Sequence, residues 1–280
     1  MLDQLCRMLS DGRGLPSYWR HSAERRRELG ARTTRHAYGP HRRQYFLLLE
    51  PADTSRSAPL PWAFYFHGGG WAFGTPEAFA AAAHPWLAAG FRVVLPSYRR
   101  PPLHWLPDIV ADCRRAVAAV AGLAAATGRP LSVPQIGGIS AGGHLAALLA
   151  LHPDWWKSAG WPAGPDHALL CAAPLDLRLL RPAALFAGHA ARCPSRADLA
   201  PAARCRWLLL HGTRDGLVAY RHSELFYDAL RNAGATAELI TLPGGGHLDA
   251  GRWTYNDADP AAGAIAAFVR RADPAPPAAG

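Results

Sequence analysis

LSVPQIGGISAGGHLAALLAL, residues 131–151, is the stretch whose reading decides the architecture. Its first part is extended and apolar, and its last part, residues 141–151, has a helical pattern of Ala and Leu. Gly138 and Gly142 flank Ser140, so a G-x-S-x-G pattern sits where a strand hands over to a helix. A turn that sharp forces the serine backbone into a strained conformation, and the flanking glycines avoid clashes there. The serine hydroxyl is then lifted above the end of a sheet, with the helix N-terminus beside it.

Outward from this junction the same alternation recurs. Residues 44–50 (QYFLLLE), 62–67 (WAFYFH), 91–98 (FRVVLPSY), 131–139, 167–173 (HALLCAA), 206–211 (RWLLLH) and 237–242 (AELITL) predict strands. Residues 106–127, 141–151, 220–233 and 260–271 predict helices. Residues 51–61 read as a polar turn. Such alternation places the chain in the α/β class: a mainly parallel sheet of about eight strands, with helices on both faces and a small cap. The expected division is an N-terminal helical segment over 1–35 that supplies the cap, an α/β domain over 36–272 and a frayed Pro/Ala-rich tail over 273–280. Residues 177–203 are the longest stretch without a core period, and an insertion over a pocket is expected there.

A chain of 280 residues that is 50% hydrophobic suits one large domain. No run approaches the roughly 18 apolar residues of a membrane-spanning helix. Residues 1–20 lack the apolar core of a secretory signal, so a soluble, cytoplasmic protein is expected. The net charge is +9, nearly all of it from arginine, with Lys157 the only lysine. Arg25-Arg26-Arg27 is the densest run. With no basic–aromatic interleaving it reads as a solvated helix face, and no nucleic-acid partner is expected. The five cysteines are widely spaced with no CxxC, which argues against a disulfide framework or zinc. Neither metal nor cofactor is expected, and a homodimer is compatible with the sequence.

Three further motifs carry chemistry. His67-Gly68-Gly69-Gly70-Trp71 follows a strand. Its glycines allow backbone N–H groups to point into a cavity, as an oxyanion hole requires. Gly68, Gly69 and Ala141 are the expected donors, and His67 and Trp71 the expected substrate contacts. His211-Gly212-Thr213-Arg214-Asp215 ends another strand and puts an acid at the same sheet edge as Ser140. Gly244-Gly245-Gly246-His247 brings an imidazole there, with a neutral pKa near ~6.5 suited to a general base. The order Ser140, Asp215, His247 favours Asp215 over its rivals Asp176 and Glu224 as the acid that orients the base. His36, His41, His84, His152 and His189 have no supporting partners. His144 reads as a packing or supporting residue. Trp155, Trp156 and Trp161 read as core.

Taken together, HGGGW, Tyr98-Arg99 with Pro102, His104 and Pro107, GISAGGHL (138–145), HGTRD and Gly246-His247 resemble the α/β-hydrolase esterases typified by the hormone-sensitive-lipase-like carboxylesterases. The resemblance runs over residues 38–270. There are departures. Pro101-Pro102-Leu103 stands where those enzymes carry Ala-Pro-Glu, and Ile139 stands where they carry Asp. Ser-Ala-Gly-Gly-His is instead similar to feruloyl/acetylxylan-type esterases and kynurenine formamidases, and residues 174–178 are similar to the formamidases.

The resemblance implies an α/β-hydrolase fold and hydrolysis of a small-molecule ester or acyl substrate through an acyl-enzyme on Ser140. An arylformamidase, a biosynthetic thioesterase or acyltransferase, and a non-catalytic binding protein on the same fold stand as alternatives.

Overall fold

The structure, a computed structural model, describes residues 2–52, 59–180, 189, 192–194 and 198–270. Helix α1 (Leu2–Arg27) leads into β1 (Ala31–Ala37), β2 (Tyr45–Pro51) and β3 (Trp62–Phe66). A 3-10 turn (Pro76–Ala83), α2 (His84–Ala88), β4 (Arg92–Pro96), α3 (Leu106–Ala126), β5 (Gln135–Ile139), α4 (Ala141–Ala150) and α5 (Pro153–Lys157) follow. The second half holds β6 (His167–Cys171), β7 (Arg206–Gly212), α6 (Arg221–Asn232), β8 (Thr236–Leu242), a 3-10 turn (Leu248–Thr254) and α7 (Pro260–Arg270).

The strands form an eight-stranded sheet in the order β1-β2-β4-β3-β5-β6-β7-β8. From β4 to β8 every neighbouring pair is parallel. β2 is antiparallel to both β1 and β4. This is the expected α/β-hydrolase architecture, with β5 central and its carboxyl end at Ser140.

Two cores lie on the two faces, and the strands divide between them residue by residue. Trp62, Phe64 and Phe66 of β3 pack on one face with α3, α4 and Phe226 of α6. Ala63 and Tyr65 pack on the other, with Tyr18 of α1, Trp86 of α2 and Ile265 of α7. β6 and β7 split the same way: Leu170 and Leu209 on the first face, Leu169 and Leu208 on the second. Burial on both faces explains why these strands are continuous apolar runs rather than alternating ones.

Some expectations need correction. The helical reading of residues 1–35 holds to Arg27. Gly30, at φ 54°, turns the chain, and Ala31–Ala37 is an edge strand on β2. Its residues are half-buried or exposed, and Arg32 and Arg35 discourage further pairing at that edge. The strand expected from residue 131 starts at Gln135, because Pro134 has no N–H for a ladder. The short helices α2 and α5 and the 3-10 turns, which also include Leu177–Leu179 and Ala200–Arg204, were not anticipated. Residues 271–280, which hold the tail, lie outside the described residues, as do 181–188, 190–191 and 195–197 of the expected insertion. Cys113, Cys171, Cys193 and Cys205 are buried and are not joined in disulfides. No helix among the described residues is long and apolar enough to cross a membrane.

Asp112 of α3 ties three elements together. Its fully buried carboxylate accepts from Gln44 Nε2 (2.8 Å), the Arg99 N–H (3.0 Å) and Arg99 Nε and Nη2 (2.8 Å each). Burial alone would raise its pKa, but the hydrogen bonds and charge of Arg99 hold it below the usual carboxylate value. Asp112→Ala leaves those donors without their acceptor and is expected to lower stability by about 3 kcal/mol. A fall in urea midpoint with unchanged slope is the readout; an unmoved midpoint contradicts the assignment.

Candidate active site

Ser140 lies between β5 and α4 with φ 55° and ψ −126°, a conformation rare for a residue with a side chain. Its N–H donates to Cys171 O at 2.8 Å, and its carbonyl accepts from the His144 N–H at 3.2 Å. The glycines around it are sterically required. A Cβ on Gly138 would lie 2.4 Å from the carbonyl of Gly142, and a Cβ on Gly142 would lie 2.0 Å from Phe66 O. The start of α4 is therefore pressed against the end of β3. Ser140 itself is only partly buried.

The glycine loop after β3 comes to the same place. A Cβ on Gly68 would lie 3.4 Å from Ser140 Cβ. The next residues turn through left-handed conformations, with φ 115° at Gly69, 55° at Gly70 and 60° at Trp71. Gly69 O closes the turn by accepting from the N–H groups of Ala72 and Phe73, both at 2.9 Å. Among the described residues, the N–H groups of Gly68 and Gly69 donate to no protein acceptor. Ala141 is the first residue of α4, so its N–H is one of the helix's orphan donors.

His67 is placed under this loop rather than in the cleft. It is 1% exposed, stacked on Tyr98 (4.5 Å, 13°) and close to Phe79. Its Nδ1–H donates to Gly68 O at 2.8 Å. The expected substrate contact at His67 is thus corrected: the ring is walled off from solvent and props the loop from below. The Arg100 guanidinium braces the loop's far end at Gly74 O. Trp71 is partly buried and meets His144 edge-on at 5.4 Å.

Asp215 and His247 follow β7 and β8 at the same sheet edge, as two loops that interlock. A Cβ on Gly212 would lie 2.3 Å from Gly245 O. His247 Nδ1 is 2.7 Å from Asp215 Oδ2, and both residues are buried. Asp215 Oδ1 accepts from the N–H groups of Leu217 (2.9 Å) and Val218 (2.8 Å). His211 Nε2 also reaches Oδ2, at 3.2 Å. Burial by itself would raise the Asp215 pKa, but the His247 charge and the His211 hydrogen bond outweigh it and hold the carboxylate ionised. The rival acid Asp176 is engaged elsewhere, with Arg178 Nε at 2.6 Å and Cys193 Sγ at 3.2 Å. Glu224 lies in the first turn of α6. His211 and Ser223, which lies 2.7 Å from His211 Nδ1, were not singled out from sequence. The spacing of four between His211 and Asp215 was the available signal.

No group of three or more His, Cys, Asp or Glu side chains among the described residues is placed to hold a metal.

A family model described as the alpha/beta hydrolase fold matches residues 63–207, more than half of the chain. The chain belongs to this family. This α/β-hydrolase is 26% identical over 245 residues to a protein of Oryza sativa subsp. japonica named as a probable isoprenylcysteine alpha-carbonyl methylesterase, covering 76% of this chain and 56% of that one. It is 27% identical over 273 residues to Esterase LipC of Mycobacterium tuberculosis (strain ATCC 25618 / H37Rv), covering 85% and 66%. The chain thus spans about half to two thirds of the length of these curated relatives. Among solved structures, the hyperthermophilic esterase from the archaeon Pyrobaculum calidifontis superposes with a TM-score of 0.69 at 21% identity, covering 91% of each chain. That likeness establishes the fold.

Three buried histidines of this α/β-hydrolase are held neutral by burial. His67 has its pKa lowered to about 3, and His144 and His222 to about 4. Unfolded, each binds a proton below about 6.5 while the folded protein does not, so acid favours the unfolded state. Stability is expected to fall as pH drops from about 6.5 toward 4, by up to about 3 kcal/mol per histidine. Urea midpoints at pH 7 and pH 5 measure this, and equal midpoints would exclude it.

Proposed function

We propose that the chain is a serine hydrolase that cleaves a carboxylic ester, with Ser140 as nucleophile, His247 as base and Asp215 as the acid that orients the base. One observation carries the reading: a strained, solvent-accessible serine at the central strand end, touching a glycine loop with undonated N–H groups, on the edge that carries the paired His247 and Asp215. The esterase names of the curated relatives support it.

The chemistry follows from the tautomer. With the Nδ1 proton on the Asp215 side, the basic lone pair of His247 is on Nε2. That nitrogen takes the Ser140 proton as Oγ attacks the ester carbonyl. The N–H groups of Gly68, Gly69 and Ala141 receive the oxyanion. Such donors are worth about 3–4 kcal/mol of barrier each. The alcohol leaves with the proton from His247. Water, deprotonated by the same ring, then splits the acyl-enzyme and regenerates Ser140.

Trp71 flanks the glycine loop and serves as a wall of the substrate cleft. The N-terminal segment supplies a second wall. Gly14 of α1 approaches Leu248, the residue after His247, and Tyr18 packs at Gly251 against Ile139. These close approaches support a capping role for α1, the helical part of the segment expected over residues 1–35.

Ser140→Ala is expected to remain folded and to lose p-nitrophenyl ester hydrolysis by at least about 10³-fold. Retained turnover would remove the proposal. Wild-type rates on p-nitrophenyl esters of rising chain length, an aryl formamide and an acyl thioester define the acyl and leaving groups. A formamide or thioester preferred over every ester would replace the ester assignment while keeping the nucleophile.

A further inference from the structure

We propose that His211 is a positioning residue of this site, acting through Asp215 on the basicity and aim of His247. The inference rests on the serine-hydrolase reading above.

The Asp215 carboxylate has an unusual set of partners. Two backbone N–H groups, from Leu217 and Val218, saturate Oδ1. Two imidazoles converge on Oδ2: His247 Nδ1 at 2.7 Å and His211 Nε2 at 3.2 Å. The His211 side chain is wholly buried, so it meets no solvent.

Its tautomer follows from its neighbours. Nε2 faces Asp215 Oδ2 and, at 2.9 Å, Val218 O. Both are acceptors, so Nε2 carries the proton. Nδ1 is then an acceptor, and Ser223 Oγ, 2.7 Å away and also buried, donates to it. The Nε2 proton is shared between Val218 O, the nearer acceptor at 2.9 Å, and Asp215 Oδ2 at 3.2 Å, so a chain runs from the Ser223 hydroxyl through His211 to Asp215, with His247 donating to the same oxygen from the other side.

This chain does two things for the reaction. It stops the carboxylate from rotating about its Cβ–Cγ bond, so that Oδ2 stays aimed at His247. It also draws negative charge from Oδ2. A carboxylate that already accepts from His211 stabilises an imidazolium less than a bare one, so His247 deprotonates at lower pH. Without the His211 donor, His247 holds its proton more tightly and is held less firmly.

The test compares His211→Leu with His211→Gln. A glutamine amide carries its nitrogen about as far along the side chain as imidazole Nε2 and keeps a donor near Oδ2; leucine does not. Two readouts are taken across pH: kcat/KM on p-nitrophenyl acetate, and the rate at which a fluorophosphonate labels Ser140.

Expected for leucine is an acidic limb moved to higher pH by about half a unit, with kcat down about tenfold and KM within about twofold. Expected for glutamine is a limb at the wild-type position with most of kcat restored. A leucine variant with an unmoved limb, or a glutamine variant impaired equally, overturns the inference. If the leucine chain does not fold, Ser223→Ala replaces it. Loss of the donor to Nδ1 should shift the limb in the same direction, and an unmoved limb again overturns the inference. A wild-type chain that neither turns over the ester nor is labelled defeats the serine-hydrolase reading and this one with it; labelling with unmoved limbs defeats this one alone.

Discussion

The site depends on one backbone conformation. Ser140 is held at φ 55° and ψ −126°, which costs about 1–3 kcal/mol relative to an ordinary region. The surroundings hold it there. Its N–H is tied to Cys171 on the next strand, its carbonyl begins α4, and Gly142 lies so close to Phe66 O that no side chain fits between. Relaxing the serine would drive α4 away from β3 and open the packed face that Phe64, Phe66 and Leu145 share. The strain is thus balanced by core burial. Because β3 ends beside β5, the glycine loop that continues β3 must pass against Ser140.

Electrostatics around this point follow a single pattern. Asp112, Asp176 and Asp215 are kept charged by several donors each, and His67, His144 and His222 are kept neutral by burial. Asp112 and Asp176 are held by Arg99 and Arg178, whereas Asp215 is held by imidazoles and backbone N–H groups. A guanidinium is permanently charged and would compete with His247 for the carboxylate. An imidazole and two amides satisfy the same oxygens without adding a fixed positive charge beside His247. His67, His144 and His222 serve as rigid, uncharged polar struts. They link the glycine loop, α4 with the segment at Arg192, and the segment at Asp176 to α6.

The class of fold was legible because burial on both sheet faces writes long apolar runs between helical ones, and β3, β6 and β7 are such runs. The elements that escaped the reading have little local signal. β1 is a polar edge strand whose ladder partner is the evidence for it. α5 spans five residues, and the turn at Pro76–Ala83 is an alanine-rich 3-10 segment without amphipathic period. His67 looked like a cleft residue because it borders the glycines. Nothing in the motif encodes that Tyr98, thirty-one residues away, stacks on its ring.

Local chemistry alone therefore determined the strand–turn–helix junction at Ser140, the glycine loop, and the order in which serine, acid and histidine arrive at sheet edges. Each is encoded within a few consecutive residues by steric rules. Which carboxylate meets His247, what supports that carboxylate and which face of the glycine loop His67 occupies were decided by tertiary structure. These depend on distances between loops that end different strands. Such distances are set by sheet order, twist and the close approach of Gly212 to Gly245, and no run of neighbouring residues records them.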